Sequence, residues 1–166
     1  DAPIYLKIGI PAAGGALVAW FVQHFAPEAK GHGVPEVMNA VATQNGFIRM
    51  RVVIIKAFSS AMSIATGASV GREGPIVQIG SAFGSTIGQL FQVSVRRMKT
   101  FIGCGAAAGI AATFNAPIAG AIFASEVILG DFSAAAIGPI IIASVFGTVI
   151  SRALYGAFPA FVPPTY

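Results

Sequence analysis

The sequence predicts an all-α integral membrane protein, a bundle of membrane-crossing helices interleaved with broken or re-entrant ones. Three observations predict it. Only 10% of the 166 residues are charged and 55% are hydrophobic, with a mean hydropathy of +0.80, whereas soluble domains carry roughly 25% charged residues. Charge-free windows recur at 8–23, 57–71, 74–95, 100–125 and 132–151, each within or near the roughly 17–25 residues that cross a bilayer. Small residues repeat at four-residue spacing, as Gly67/Gly71, Gly80/Gly84/Gly88 and Gly105/Gly109. In lipid, where no hydrophobic drive pairs helices, such faces let backbones approach closely.

The elements follow in order. A first helix is expected over about 4–25, loosened by Pro11 and Gly14/Gly15 and stopped by APEAKGHG. A short helix opens at GVPEV, where Pro35 suits a first turn because the amide it lacks has no intrahelical partner there. The Asn45-Gly46 turn leads to a helix over about 47–66. Another begins at Gly74-Pro75 and runs to about 93. Helices are then expected over about 99–114, 117–129 and 133–155, with FNAP and LGDF as breaks. The basic clusters Arg49/Arg51/Lys56 and Arg96/Arg97/Lys99 are separated by two of these helices. One helix going up and the next coming down would bring both clusters to the cytoplasmic side, as the positive-inside rule requires.

The opening DAPIYLK has no basic region ahead of a short apolar core, so it is not read as a signal peptide. The chain is expected to begin partway through a protein, and the apolar ending FPAFVPPTY reads as a cut. Residues 1–166 are therefore expected to form one partial transmembrane domain.

Against this apolar background the stretch GREGPIVQIG, Gly71 to Gly80, stands out. An unpaired charge at the bilayer centre costs a few kcal/mol even on lenient scales of about +2.5–3.5, so Arg72 and Glu73 need a wet or helix-terminal site. Gly71 and Gly74 let the backbone bend, and Pro75 fixes the first turn of a helix. That turn offers free N–H groups and the positive end of the macrodipole. GHGVPE, Gly31 to Glu36, repeats the grammar, and FNAP repeats the break followed by proline. Broken helices whose N-termini point inward make a cavity for an anion. Amides hold an anion without a full positive charge, so it can also leave.

GHGVPEV, GREGPIVQIG and GAAAGIAATFNAPIAGAIFASEV, in this order and at these separations, resemble the first half of the pore domain of the CLC family of chloride channels and chloride/proton antiporters. The likeness runs from about Tyr5 to about Arg152. It implies one repeat of an inverted-repeat pore, with the C-terminal half of the pore lying outside this chain, and a homodimer with one pore per subunit. It also implies a multi-pass protein of the plasma membrane, the inner membrane if the source is bacterial. Glu73 matches the gating glutamate, whose carboxylate occupies an anion site. Gly71, Arg72, Gly74 and Pro75 match the rest of that filter segment, and Gly31, His32, Gly33, Val34 and Pro35 match the loop that faces the inner anion sites. The expected cargo is chloride or a similar small anion, with a bound chloride ion, no other cofactor and no metal.

Two positions depart from the family pattern. His32 stands where chloride-selective members usually have serine, which puts selectivity in question. The inner proton-relaying glutamate of the antiporters aligns with Val127, and the neighbouring Glu126 is turned by about 100° on a 3.6-residue helix. A proton path through Glu126 and Val127 is therefore disfavoured, and the expectation is a passive channel, with a proton-coupled antiporter as the alternative and a non-transporting membrane module as a third reading. The second-half motif Gly-x-Phe-x-Pro is absent, since GAFPA at Gly156 has Ala160 in the proline position, and Tyr155 and Tyr166 are not candidates for the late tyrosine.

Other chemistry is excluded or reads as structural. No Walker A or Rossmann glycine pattern occurs, so no enzyme activity is expected. Aromatics lie in apolar runs rather than among basic residues, so nucleic acid is not an expected partner. Cys104 reads as a small buried hydrophobe, His24 as interfacial and Gln78 as packing with an internal hydrogen bond.

Overall fold

A computed structural model of the chain describes residues 3–156. GAFPA beyond Gly156, and Tyr166, lie outside the described residues. Within them the architecture is entirely helical: α1 (Ile4–Phe25), a 3-10 turn at Pro27–Ala29, α2 (Val34–Thr43), α3 (Arg51–Ala65), α4 (Glu73–Leu90), α5 (Val95–Phe114), α6 (Pro117–Phe123), which continues as a π-helical segment Ala124–Leu129, and α7 (Ala134–Tyr155). α1 and α7 are long and apolar enough to cross a membrane on length and hydropathy alone.

The centre of the bundle is α5, packed against α4 on one side and α6 and α7 on the other. Glycines allow this. A Cβ on Gly80 would come 2.3 Å from the Gly105 carbonyl oxygen, and one on Gly84 would meet the Phe101 carbonyl. The glycine ladder of the sequence is thus a seam of backbone on backbone, which brings dispersion contacts that bulkier side chains would forbid. α7 buries the stripe Ala136, Ile140, Ser144 and Thr148, one residue per turn, while Ile142, Phe146, Val149 and Leu154 stay exposed. Its buried hydroxyls are satisfied locally: Thr148 Oγ1 donates to the Ser144 carbonyl at 3.0 Å and Ser144 Oγ to the Pro117 carbonyl.

Three boundaries differ from the sequence expectation. α3 begins at Arg51 rather than near Phe47. Backbone groups of 46–48 find partners on α4 instead of in a helix: Ser85 Oγ accepts from Ile48 N at 3.0 Å and donates to the Gly46 carbonyl at 2.6 Å, and Gln89 Nε2 donates to the Ile48 carbonyl at 2.9 Å. α5 begins at Val95, four residues early, after the extended Ser94. α4 stops at Leu90, and Gln92 with φ +49° reverses the chain. The same bonds put the end of α4 beside the start of α3, so the two basic clusters lie at one end of the bundle, as the up-and-down reading requires. Lys56 is a correction to that cluster. It is 5% exposed and points inward, so it is not one of the solvent-facing charges that orient the chain.

Candidate functional site: two helix openings in backbone contact

α2 begins after Gly31-His32-Gly33, with Gly31 at φ +90° and Gly33 at φ +105°. That left-handed backbone costs other L-residues roughly 1–2 kcal/mol. Glu36 ties the loop down, its Oε2 accepting from the Gly33 amide at 2.7 Å, which satisfies one orphan donor of the helix opening. Lys56 ties it from beneath: its Nζ donates to the Ala29 carbonyl at 2.9 Å and the Gly31 carbonyl at 2.8 Å. Lys56 therefore braces the opening of α2, a role the sequence reading did not give it. The available signal was a lysine inside the otherwise apolar run Val52–Phe58.

α4 begins at Glu73, with Pro75 in its first turn. The two openings touch through their backbones: a Cβ on Gly33 would lie 2.2 Å from the Gly74 carbonyl oxygen, and one on Gly74 would strike the His32 carbonyl. Gly31, His32, Gly33, Val34 and Pro35 are thus brought against Gly71, Arg72, Glu73, Gly74 and Pro75. Two helix N-termini, each with unpaired amides and a partial positive charge, share one locality. Glu73 folds back so that its carboxylate fills the space beside Gly71, which a Cβ there would occupy. His32 and Glu73 are both exposed.

Arg72 does not pair with Glu73. Its guanidinium lies 5.7 Å from the centroid of the Phe114 ring, a cation–π contact, and no ion pair joins the two residues. The end of α5 and the FNAP break thereby come up to the same region. There Asn115 is left-handed at φ +56° and accepts from Arg152 Nε.

Glu126 and Val127 lie beyond α6. They ride on the π-helical segment, which packs on α2 and α5, and both are exposed. The wider i→i+5 winding of that segment lowers the step between neighbouring residues only modestly below the α-helical value of about 100°, so the two side chains still point in different directions. At the other end Asp131 accepts from Ser133 N at 2.8 Å and Ser133 Oγ at 3.1 Å ahead of α7. These bonds, with Arg96 nearby, hold its carboxyl below the usual carboxylate range.

The voltage gated chloride channel family model matches residues 14–165. A chloride channel protein ClcB-like of Ralstonia nicotianae is 35% identical over 99% of this chain and 39% of its own length. An H(+)/Cl(-) exchange transporter ClcA of Vibrio vulnificus is also 35% identical over 99% of this chain and 36% of its own length. A slow cyanobacterial Cl−/H+ antiporter superposes with a TM-score of 0.78 at 28% identity, over 93% of this chain and 37% of that one. A eukaryotic CLC transporter shares the fold, with a TM-score of 0.73. The chain spans less than two-fifths of the length of these curated relatives. With the family model matching nearly the whole length and the helix order of a CLC transporter reproduced, the chain belongs to the voltage gated chloride channel family.

Proposed function

We propose that this chain supplies the first half of the anion pathway of a proton-coupled exchanger for chloride or a similar small anion. The observation that carries the reading is the contact of Gly33 with Gly74, which holds the openings of α2 and α4 together with Glu73 at the head of α4. Free amides and aligned dipoles at that junction would hold a bound chloride. Glu73 is the competing anion: ionised, its carboxylate takes the site, and protonated or displaced, it vacates it. The second half of the pore, the dimeric assembly and the multi-pass insertion into a plasma or inner membrane belong to the same proposal.

For coupling, the passive reading drawn from Val127 gives way to the exchanger. Relatives 35% identical to this chain include one described as an H(+)/Cl(-) exchange transporter, and the structural neighbour with a TM-score of 0.78 is a Cl−/H+ antiporter. Val127 and the 35% identical relative described as a chloride channel protein remain on the side of a passive channel.

Reconstitution of the full-length protein in sealed vesicles separates the two. Under a chloride gradient with voltage clamped and no proton gradient, an exchanger moves protons uphill, and Glu73→Gln stops this while anion flux continues. Chloride flux with no proton movement in the parent protein would establish the channel. Absence of any flux would remove the transport reading altogether.

A further inference from the structure

Two cavities lie away from the helix-opening junction, at the end of the bundle where the basic clusters gather. One, of about 510 Å³, is lined by Arg96, Arg97, Lys99, Thr100 and Asp131 among others. The second, of about 520 Å³, runs along the apolar surface of α4, α5 and α7, past Phe83, Ile87, Phe101, Cys104 and Pro139. Arg97, Thr100 and Ala135 line both, so a charged chamber adjoins an oily groove.

The charge in the first chamber is unmatched. Asp131 is its one acid among these residues, and both carboxylate oxygens are engaged by Ser133 at the start of α7, with Arg96 the cation nearest to it in effect. Arg97 and Lys99 make no hydrogen bond or ion pair among the described residues. Both sit in the first turns of α5, whose dipole adds to the positive potential. A free anion would use the chamber and leave the groove empty. A molecule with a phosphate at one end and a hydrocarbon chain at the other fits both, and the positive-inside placement puts the junction at the level of lipid headgroups.

We propose that these two cavities form one site for an anionic phospholipid, with its phosphate between Arg97 and Lys99 and an acyl chain along Phe83, Ile87 and Phe101. The site is separate from the anion pathway and does not depend on the coupling assigned above. It makes the protein's stability or activity responsive to the charge of the surrounding bilayer.

The test uses the full-length protein in detergent, with bound lipid counted by native mass spectrometry during titration with phosphatidylglycerol, phosphatidylcholine of the same chains, or inorganic phosphate. Phosphatidylglycerol should bind tightest. Each cation near an anionic lipid contributes about 1 kcal/mol, or about fivefold, so the double variant Arg97→Gln/Lys99→Gln should weaken it roughly 25-fold. Ala135→Phe, which keeps every charge but crowds the boundary that the two cavities share, should weaken it as well. Arg152→Gln, at the opposite end of α7, removes the same charge elsewhere and should leave it unchanged. Equal binding of the two lipids, or parent-like affinity in the double variant, overturns the proposal and places another part of the protein in the groove. Inorganic phosphate competing at the lipid's own affinity overturns the lipid assignment, and parent-like affinity in Ala135→Phe overturns the two-part site.

Discussion

Substituting alanine for Gly74 in the full-length protein tests the junction most directly. The added methyl would sit 1.7 Å from the His32 carbonyl oxygen, where ordinary contact begins at 3.4 Å. The neighbour is backbone, so no side chain can swing aside. The openings of α2 and α4 must part by more than 1 Å, and overpacking of this kind costs about 1–3 kcal/mol. If that cost is levied on the arrangement that binds the anion, affinity or flux should fall between about fivefold and 150-fold. Two further variants calibrate the result. Gly80→Ala meets a similar clash, 2.3 Å from the Gly105 carbonyl, but in the α4–α5 seam, so it should lower stability and spare anion affinity. Gly15→Ala meets nothing within 4 Å and should be neutral or slightly stabilising, since helical glycine is about 1 kcal/mol worse than alanine. Chloride affinity by calorimetry and flux from vesicles are the assays. A Gly74→Ala protein that binds and transports chloride within about twofold of the parent, a difference of only about 0.4 kcal/mol, would show that the junction does not form the anion site.

Lys56→Met should destabilise the full-length protein by about 3–6 kcal/mol, since two charge-assisted bonds at roughly 1.5–3 kcal/mol each are lost; an unchanged denaturation midpoint would mean that Lys56 does not brace the α2 opening. Ser85→Ala strands the Gly46 carbonyl and the Ile48 amide and should cost about 1–3 kcal/mol, read as faster amide exchange at Ile48. His32→Ser, which exchanges an imidazole for a hydroxyl beside the Gly33–Gly74 contact, should change the chloride-versus-nitrate preference, and an identical preference in the two proteins would make His32 a bystander. The cap that Asp131 gives α7 is present above its unfolded value near 3.8 and is lost as pH falls through the lower folded value. Ser133 amide exchange should accordingly quicken only under acid conditions, and Asp131→Asn should remove that step.

What the sequence determined by itself was the local grammar. Charge-free windows, the Gly-Pro openings at Val34 and Glu73, and the breaks at Asn115 and Gly130 are set by residues a few positions apart, so the helix order and most ends could be read directly. The two residue groups of the candidate site were legible for the same reason, as was the placement of both basic clusters at one end. Only the tertiary structure decided which of these pieces meet. Ser85 and Gln89 on α4 claim backbone at 46–48 that local preference would make helical, and Lys56 is drawn inward by carbonyls 25 and 27 residues away in sequence. The π winding of Ala124–Leu129 arises where the segment packs on α2 and α5. Gly33 and Gly74, 41 positions apart, end in backbone contact. Such outcomes depend on which surfaces are pressed together, and a periodicity or a turn signal carries no information about a partner dozens of residues away.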